Sequence, residues 1–116
     1  MDFNNSLFMM PLMTGVIFII AGYIALKFPP KKINSLYGYR TSSSMKNQER
    51  WDFAQVYSSI LMIYCGLGLT LLSVFGLLFK LSEGQGVLIG TIMIIIATLV
   101  VLYKTEKAIK QKFKND

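Results

Sequence analysis

The hydrophobic positions of this chain form three long runs separated by polar segments. No Asp, Glu, Lys or Arg occurs between Leu7 and Leu26, between Phe53 and Phe79, or between Gly84 and Tyr103. About 20 apolar residues in a helix cover the hydrocarbon core of a bilayer, and the runs lack the polar stripe of a soluble bundle. We therefore predict an all-α integral membrane three-helix bundle. The predicted spans cover about residues 7–28, 53–79 and 87–103.

The segments between the runs complete a single membrane domain, with a polar loop over residues 29–52 and a basic tail over 104–116. Pro29 and Pro30 end the first helix, because proline lacks a backbone donor and restricts the preceding residue. The short turn from Lys80 to Gly86 makes the second and third spans an antiparallel hairpin. The first run lacks the basic region that precedes a signal peptide, so we expect it to remain as a span.

Positive charge is distributed unevenly among these segments. Only 16% of the residues are charged, against about a quarter in soluble domains. Of the 12 lysines and arginines, only Lys80 lies outside the region around the polar loop and the tail. The positive-inside rule then predicts an N-terminus outside and a C-terminus in the cytoplasm. We expect the lysine tail to contact the lipid bilayer, not nucleic acid, because no DNA-binding motif accompanies it.

The residues that carry most protein chemistry are scarce. Histidine is absent, and Cys65 is the only cysteine, so we expect no metal site and no cofactor. No ionisable carboxylate or basic group lies inside a span, which argues against a proton relay or an intramembrane hydrolase. The hydroxyls of the second span lack a neighbouring base, and we expect them to bond to the backbone or to a neighbouring helix. These hydroxyls belong to Ser58, Ser59, Thr70 and Ser73. An enzyme is therefore not expected.

Small residues recur along each span at helical spacing. Such residues let helix backbones approach closely in lipid. Their pattern predicts a tightly packed bundle and leaves open whether the chain also associates with itself or with a larger membrane complex. The small residues are Gly15 and Gly22 in the first span, Ser59, Gly66, Ser73 and Gly76 in the second, and Gly86, Gly90 and Ala97 in the third.

The polar loop has local signals for a turn and for a helix start. Gly38 permits a tight turn or a close backbone approach. Ser43 or Ser44 is predicted to cap a helix that begins near Met45 and continues into the second span. Trp51 would then lie at the membrane surface.

Two interpretations of this loop remain open. Arg40 is near enough in sequence to reach Glu49 or Asp52, which would fit a folded connector that locks the first two spans. The same loop would also fit a site for a peptide, a lipid headgroup or a protein partner.

A set of loop residues at fixed spacing has a recognisable pattern, Asn34-x3-Gly38-Tyr39-Arg40-Thr41-x2-Ser44-x6-Trp51-x2-Ala54. The pattern resembles the signature of the SdpI family of small bacterial membrane proteins, over about residues 29–73. The resemblance implies a protein of the bacterial cytoplasmic (inner) membrane. The expected partner-binding residues are Asn34, Gly38, Tyr39, Arg40, Thr41, Ser44, Asn47 and Trp51.

Three functions follow as hypotheses. By the resemblance, the chain would give immunity to a membrane-active peptide toxin, or signal by binding a cytoplasmic repressor, or both. Three spans with a basic inner tail also suit a holin-like pore former, although a holin has no need of the patterned loop. The third hypothesis is an accessory subunit of a larger membrane complex.

Overall fold

The computed structural model describes residues 4–114. This part of the chain forms three α-helices, α1 (Ser6–Lys27), α2 (Gln48–Gly76) and α3 (Glu83–Lys112), and no strand. Each helix is long and apolar enough to cross a membrane. The prediction of an all-α membrane bundle is therefore confirmed.

Local signals account for the ends of α1 and α3. The side chain of Asn5 caps α1 by accepting a 2.8 Å hydrogen bond from the Phe8 N–H. α1 ends just before Pro29-Pro30, as predicted. Ser82 and Gln85 form a capping box at the start of α3, which satisfies backbone donors left over at a helix N-terminus. The lysine-rich segment continues α3 as far as Lys112.

α1 and α2 run antiparallel and form the closest helix pair of the bundle. A Cβ atom added at Gly66 would lie 2.6 Å from the Gly15 carbonyl oxygen, and one added at Gly76 would lie 2.6 Å from the Leu7 carbonyl oxygen. Likewise, a Cβ at Gly22 would lie 2.7 Å from the carbonyl oxygen of Ser59. The backbones are therefore in direct contact, and the prediction of tight packing through small residues is confirmed.

α3 packs beside these two helices through its own small residues. Gly86 faces the Leu7 backbone, and Gly90 faces the side chain of Met10. The buried positions of α3 continue along one face to its basic end, at Ala97, Val101, Thr105 and Ile109. The core contact of α3 therefore extends beyond the apolar run that ends at Tyr103.

The hydroxyl groups of α2 donate hydrogen bonds to backbone carbonyls of the same helix. Ser59 donates to the Gln55 carbonyl at 2.5 Å, Thr70 to the Gly66 carbonyl at 2.8 Å and Ser73 to the Thr70 carbonyl at 2.6 Å. Donation to a carbonyl three or four residues earlier hides a hydroxyl inside an apolar environment. The prediction that these hydroxyls bond to backbone is confirmed.

The start of α2 differs from the sequence prediction. α2 begins at Gln48, and its cap is Asn47, whose side chain accepts a 2.9 Å hydrogen bond from the Arg50 N–H. The prediction of a Ser43 or Ser44 cap was wrong. Ser44 is fully buried, and its hydroxyl bonds within the preceding loop, so it is not available to α2.

Candidate partner-binding site at the loop end of the bundle

Residues 28–47 form a folded segment, here called the loop cap, at the end of the bundle where α1 stops and α2 starts. Its central contact joins Tyr39 to Gln55 of α2. The Tyr39 N–H donates to Gln55 Oε1 at 2.7 Å, and Gln55 Nε2 donates to the Tyr39 carbonyl at 2.8 Å. Gln55 is buried, so this amide pair satisfies a side chain that would be costly to bury alone.

Gly38 allows this contact to form. Its φ is +106°, a backbone conformation that residues with a Cβ rarely adopt. A Cβ added there would also lie 2.5 Å from Gln55 Oε1 and 2.7 Å from Pro30 Cγ. The predicted role of Gly38 in a close backbone approach is therefore confirmed.

Tyr39 and Thr41 connect the loop cap to α3. The Tyr39 hydroxyl donates to Glu106 Oε2 at 3.1 Å, and the Thr41 hydroxyl donates to the same oxygen at 3.0 Å. Burial raises the pKa of Tyr39 well above its ordinary value, and the nearby negative charge of Glu106 raises it further. Tyr39 is therefore held as a neutral phenol that donates to a carboxylate.

Ser44 and Thr41 stabilise the second half of the loop cap. The Thr41 N–H donates to Ser44 Oγ at 2.9 Å, and the Ser44 N–H donates to Thr41 Oγ1 at 3.1 Å. The Ser44 hydroxyl lies 3.2 Å from the Tyr39 carbonyl oxygen, an acceptor for its proton. These reciprocal bonds order a segment outside the helices, together with the Met45 N–H, which donates to the Thr41 carbonyl at 3.0 Å.

Trp51 holds the chain that leaves α1. It is fully buried, and its indole N–H donates to the Pro30 carbonyl at 2.6 Å. Beside it, Gln48 Nε2 donates to the Lys31 carbonyl at 2.7 Å. The position of Trp51 at the membrane surface stays a prediction. Its indole is enclosed by the protein, where its one polar atom finds a partner.

Asn34 and Arg40 order one turn on the surface of the loop cap. Asn34 Oδ1 accepts from the N–H groups of Leu36 at 2.9 Å and Tyr37 at 2.8 Å. The guanidinium of Arg40 donates to the Ser35 carbonyl of the same turn. Asp52, one of the two carboxylates within reach of Arg40 by sequence, accepts a 2.7 Å hydrogen bond from Gln48. The turn projects Leu36 outward with 89% of its surface exposed.

Arg50 of α2 links the end of α3 to the loop cap. It is buried, and its guanidinium donates to the carbonyls of Ser43 at 3.2 Å and Phe113 at 3.3 Å. The guanidinium also lies over the Phe113 ring, 5.8 Å from the centroid. α3 is therefore fastened at two points, Glu106 and Phe113.

The eight predicted site residues thus lie in or directly beside the loop cap, and most of them hold it together. Sequence reasoning missed Gln55 and Glu106, two of the residues that bond to Tyr39. Glu106 had one weak signal, as the only carboxylate among the lysines between 104 and 114. In the described part of the chain, no group of three or more His, Cys, Asp or Glu side chains could hold a metal ion.

A cavity of about 290 Å³ lies between the loop cap and the helices. Gly38 and Tyr39 line it from the cap, Gln55 and Ser59 from α2, and Ala21 from α1. Its walls are mainly apolar side chains with a few hydroxyl and amide groups, the usual character of a small-molecule or side-chain pocket.

The sequence model of the SdpI/YfhL protein family matches residues 31–104. The chain belongs to the SdpI/YfhL family. A curated relative, the uncharacterized protein YfhL of Bacillus subtilis (strain 168), is 42% identical over 106 residues, which cover 85% of this chain and 84% of that protein. No solved structure matches the chain. The SdpI/YfhL match contains Tyr39 and Gln55, while Pro30 lies one residue before it and Glu106 lies two residues beyond it.

Proposed function

We propose that the chain lies in the bacterial cytoplasmic membrane with the loop cap and the basic end of α3 in the cytoplasm. The Tyr39–Glu106 contact supports this orientation, because it brings the two basic segments to one end of the bundle. Of the 12 lysines and arginines, only Lys80 lies near the other end. The positive-inside rule assigns the basic end to the cytoplasm.

Reporter fusions test the orientation. Green fluorescent protein at the C-terminus should fluoresce, and alkaline phosphatase inserted after Ser82 should be active, because that enzyme folds only outside the cytoplasm. An inactive phosphatase at Ser82 together with an active one at the C-terminus would reverse the proposed orientation.

We propose further that the chain works by binding and not by catalysis. The hydroxyls of Tyr39 and Thr41 donate to a carboxylate that carries no adjacent histidine, and the Ser44 hydroxyl is buried in a turn. None of these groups has the exposed nucleophile and base arrangement of a hydrolytic site.

The function that the geometry supports best is immunity to a membrane-active peptide toxin, signalling through a cytoplasmic protein partner, or both. The ordered turn of the loop cap is the observation that carries this proposal. Asn34 and Arg40 both belong to the family pattern. Their polar groups form hydrogen bonds within the turn that keeps Leu36 exposed. Tyr37 and Phe28 are also exposed beside it, joined by a hydrogen bond from the Tyr37 hydroxyl to the Phe28 carbonyl. An apolar surface held on an ordered loop is suited to recognition.

A survival assay tests the immunity version. A sensitive bacterial host that expresses the chain should survive a panel of membrane-active peptides better than the host with an empty vector. Arg40→Ala and Leu36→Ser should each reduce survival to the vector level at equal protein abundance in the membrane. Ser42→Ala, at an exposed position of the same cap, is the matched control and should protect fully. Equal protection by all three variants would place the binding surface elsewhere.

Two other outcomes would assign the chain to another class. Rapid collapse of the membrane potential on overexpression would indicate a holin-like pore former. Copurification of a stoichiometric membrane protein in mild detergent, with no survival effect, would indicate an accessory subunit.

A further inference from the structure

A basic groove lies between α2 and α3, and the loop cap contributes nothing to its walls. Its volume is about 290 Å³. One wall is Tyr57 of α2 and the other is one face of α3. We call it the headgroup groove, and it is lined by Tyr57, Tyr103, Lys104, Lys107, Ala108 and Gln111.

The depth of the headgroup groove matches the boundary of a bilayer. The charge-free run of α3 ends at Tyr103, and Lys104 is the first charge after it. On α2, Tyr57 lies one helical turn inside the run that begins at Phe53. Tyrosine is favoured where acyl chains give way to headgroups, and lysine is favoured immediately beyond. The groove therefore spans the layer that contains lipid phosphates.

The charge of the headgroup groove depends on the orientation of Glu106. By sequence, Glu106 lies directly next to Lys107 and would offset its charge. In a helix, neighbours in sequence point about 100° apart, and Glu106 accepts hydrogen bonds from Tyr39 and Thr41 of the loop cap. Among the described residues, those that line the groove include no carboxylate. Two ammonium groups therefore share a groove with two phenols and an amide.

We propose that the headgroup groove binds the phosphate group of an anionic membrane lipid. Lys104 and Lys107 offset the phosphate charge, and the hydroxyls of Tyr57 and Tyr103 donate hydrogen bonds to its oxygens or to the glycerol beside it. Basic pockets between membrane helices recognise anionic headgroups in this way, with lysine acting as a point charge. This site is separate from the loop cap surface and does not depend on the proposed function.

Binding at this groove also has a structural consequence. α2 and α3 contact each other less extensively than α1 and α2 do. A headgroup that binds Tyr57 of α2 and the two lysines of α3 would join these two helices, which have the least extensive contact of the three helix pairs. Because a ligand that binds only the folded state stabilises it, bound anionic lipid should raise the melting temperature of the chain.

The test uses the full chain purified in a neutral detergent. Trp51 is buried, so its fluorescence reports unfolding. Phosphatidylglycerol, phosphatidylcholine and inorganic phosphate are added separately, and the lipid concentration that gives half of the maximal melting shift measures affinity. Phosphatidylglycerol should raise the melting temperature, whereas phosphatidylcholine and inorganic phosphate should not.

Charge variants locate the binding. K104Q/K107Q should weaken the response to phosphatidylglycerol about thirtyfold, which corresponds to about 2 kcal/mol at about 1.4 kcal/mol per tenfold change and about 1 kcal/mol per lysine. K104R/K107R keeps the charge and should retain most of the response. K110Q/K114Q removes the same charge from exposed lysines of the tail outside the groove and should have little effect.

Three results would overturn the proposal. Equal losses in K104Q/K107Q and K110Q/K114Q would show diffuse attraction to the whole tail. An unchanged response in K104Q/K107Q would place the lipid elsewhere. Saturation by inorganic phosphate with the same variant dependence would show that the groove takes a free phosphate and not a lipid.

Discussion

The hydroxyl of Tyr39 donates a 3.1 Å hydrogen bond to Glu106, which joins the loop cap to α3 across 67 residues of sequence. Thr41 donates to the same carboxylate oxygen at 3.0 Å. A single side chain of α3 therefore holds two residues of the family pattern. Removal of the Glu106 side chain should therefore destabilise the whole loop cap.

Glu106→Ala should destabilise the chain by about 1–3 kcal/mol, because it removes the charged acceptor of two partly buried hydroxyls. Unfolding in mixed detergent micelles, followed by Trp51 fluorescence, measures the change. Trypsin should also cleave faster at Arg40 and Lys46, since the cap opens more often. Glu49→Ala removes an exposed carboxylate and should cost less than about 1 kcal/mol. Equal effects of both variants would contradict the role of Glu106.

Tyr39 should make stability depend on alkaline pH. Its pKa in the folded chain is raised above the ordinary 10.0, first by burial and then by the charge of Glu106. The neutral phenol is therefore favoured by folding, and this contribution is complete below about pH 10. It decreases as the pH rises further, because the unfolded chain loses the proton first.

The comparison of wild type with Tyr39→Phe isolates this effect. Above about pH 10, the wild type should lose stability more steeply than Tyr39→Phe, by up to about 1.4 kcal/mol per pH unit. Thermal unfolding at a series of pH values gives the slopes. Parallel slopes for the two proteins would show that Tyr39 ionises normally.

Gly38→Ala should weaken the docking of the loop cap onto α2. The φ of Gly38 is +106°, and an added Cβ would lie 2.5 Å from Gln55 Oε1. Alanine therefore cannot adopt this position without strain, and a cost of about 1–3 kcal/mol is typical of such sites. The matched control is Gly84→Ala in the first turn of α3, where an added Cβ meets nothing within 4 Å. That variant should be neutral or slightly stabilising. A stable Gly38→Ala protein with an unchanged trypsin pattern would argue against the docked cap.

Gly66→Val should separate α1 from α2. A Cβ at this position would meet the Gly15 carbonyl oxygen at 2.6 Å, and overpacking of a tight contact costs about 1–3 kcal/mol. Gly68→Val is the control, because Gly68 lies two residues away on the same helix with open space beyond it. In mixed micelles, the fraction of denaturing detergent at which half of the protein is unfolded should decrease for Gly66→Val only. A similar fall for both would indicate a propensity effect of valine and not a packing effect.

Asn47→Ala should cost about 1 kcal/mol by removing the cap of α2. Its side chain accepts from the Arg50 N–H at 2.9 Å. Ser43→Ala tests the alternative cap that the sequence suggested. It should have almost no effect, because Ser43 accepts from Arg50 through its backbone carbonyl. The same unfolding assay distinguishes the two. A larger loss in Ser43→Ala would restore the sequence prediction.

Several features of the fold were accessible from the sequence because their causes are local. Uninterrupted apolar runs identify membrane helices without any tertiary information, since the bilayer selects for length and composition. Pro29 and Pro30 stop α1 through their own backbone chemistry. Gly38 and the small residues of α1 and α2 marked close approaches, because only residues without bulky side chains permit them.

Other features were decided only by the tertiary structure. Ser44 and Asn47 are both residue types that favour a helix N-cap position. Asn47 caps α2, because Ser44 is buried in the loop cap. Trp51 is of a residue type favoured at membrane interfaces, and only the structure shows that its indole is buried and donates to the Pro30 carbonyl. Glu106 looks like one charge on a solvated lysine-rich face. Its role depends on Tyr39, 67 residues earlier, and hydrogen bonds between such distant residues leave no periodic or local signal in a sequence.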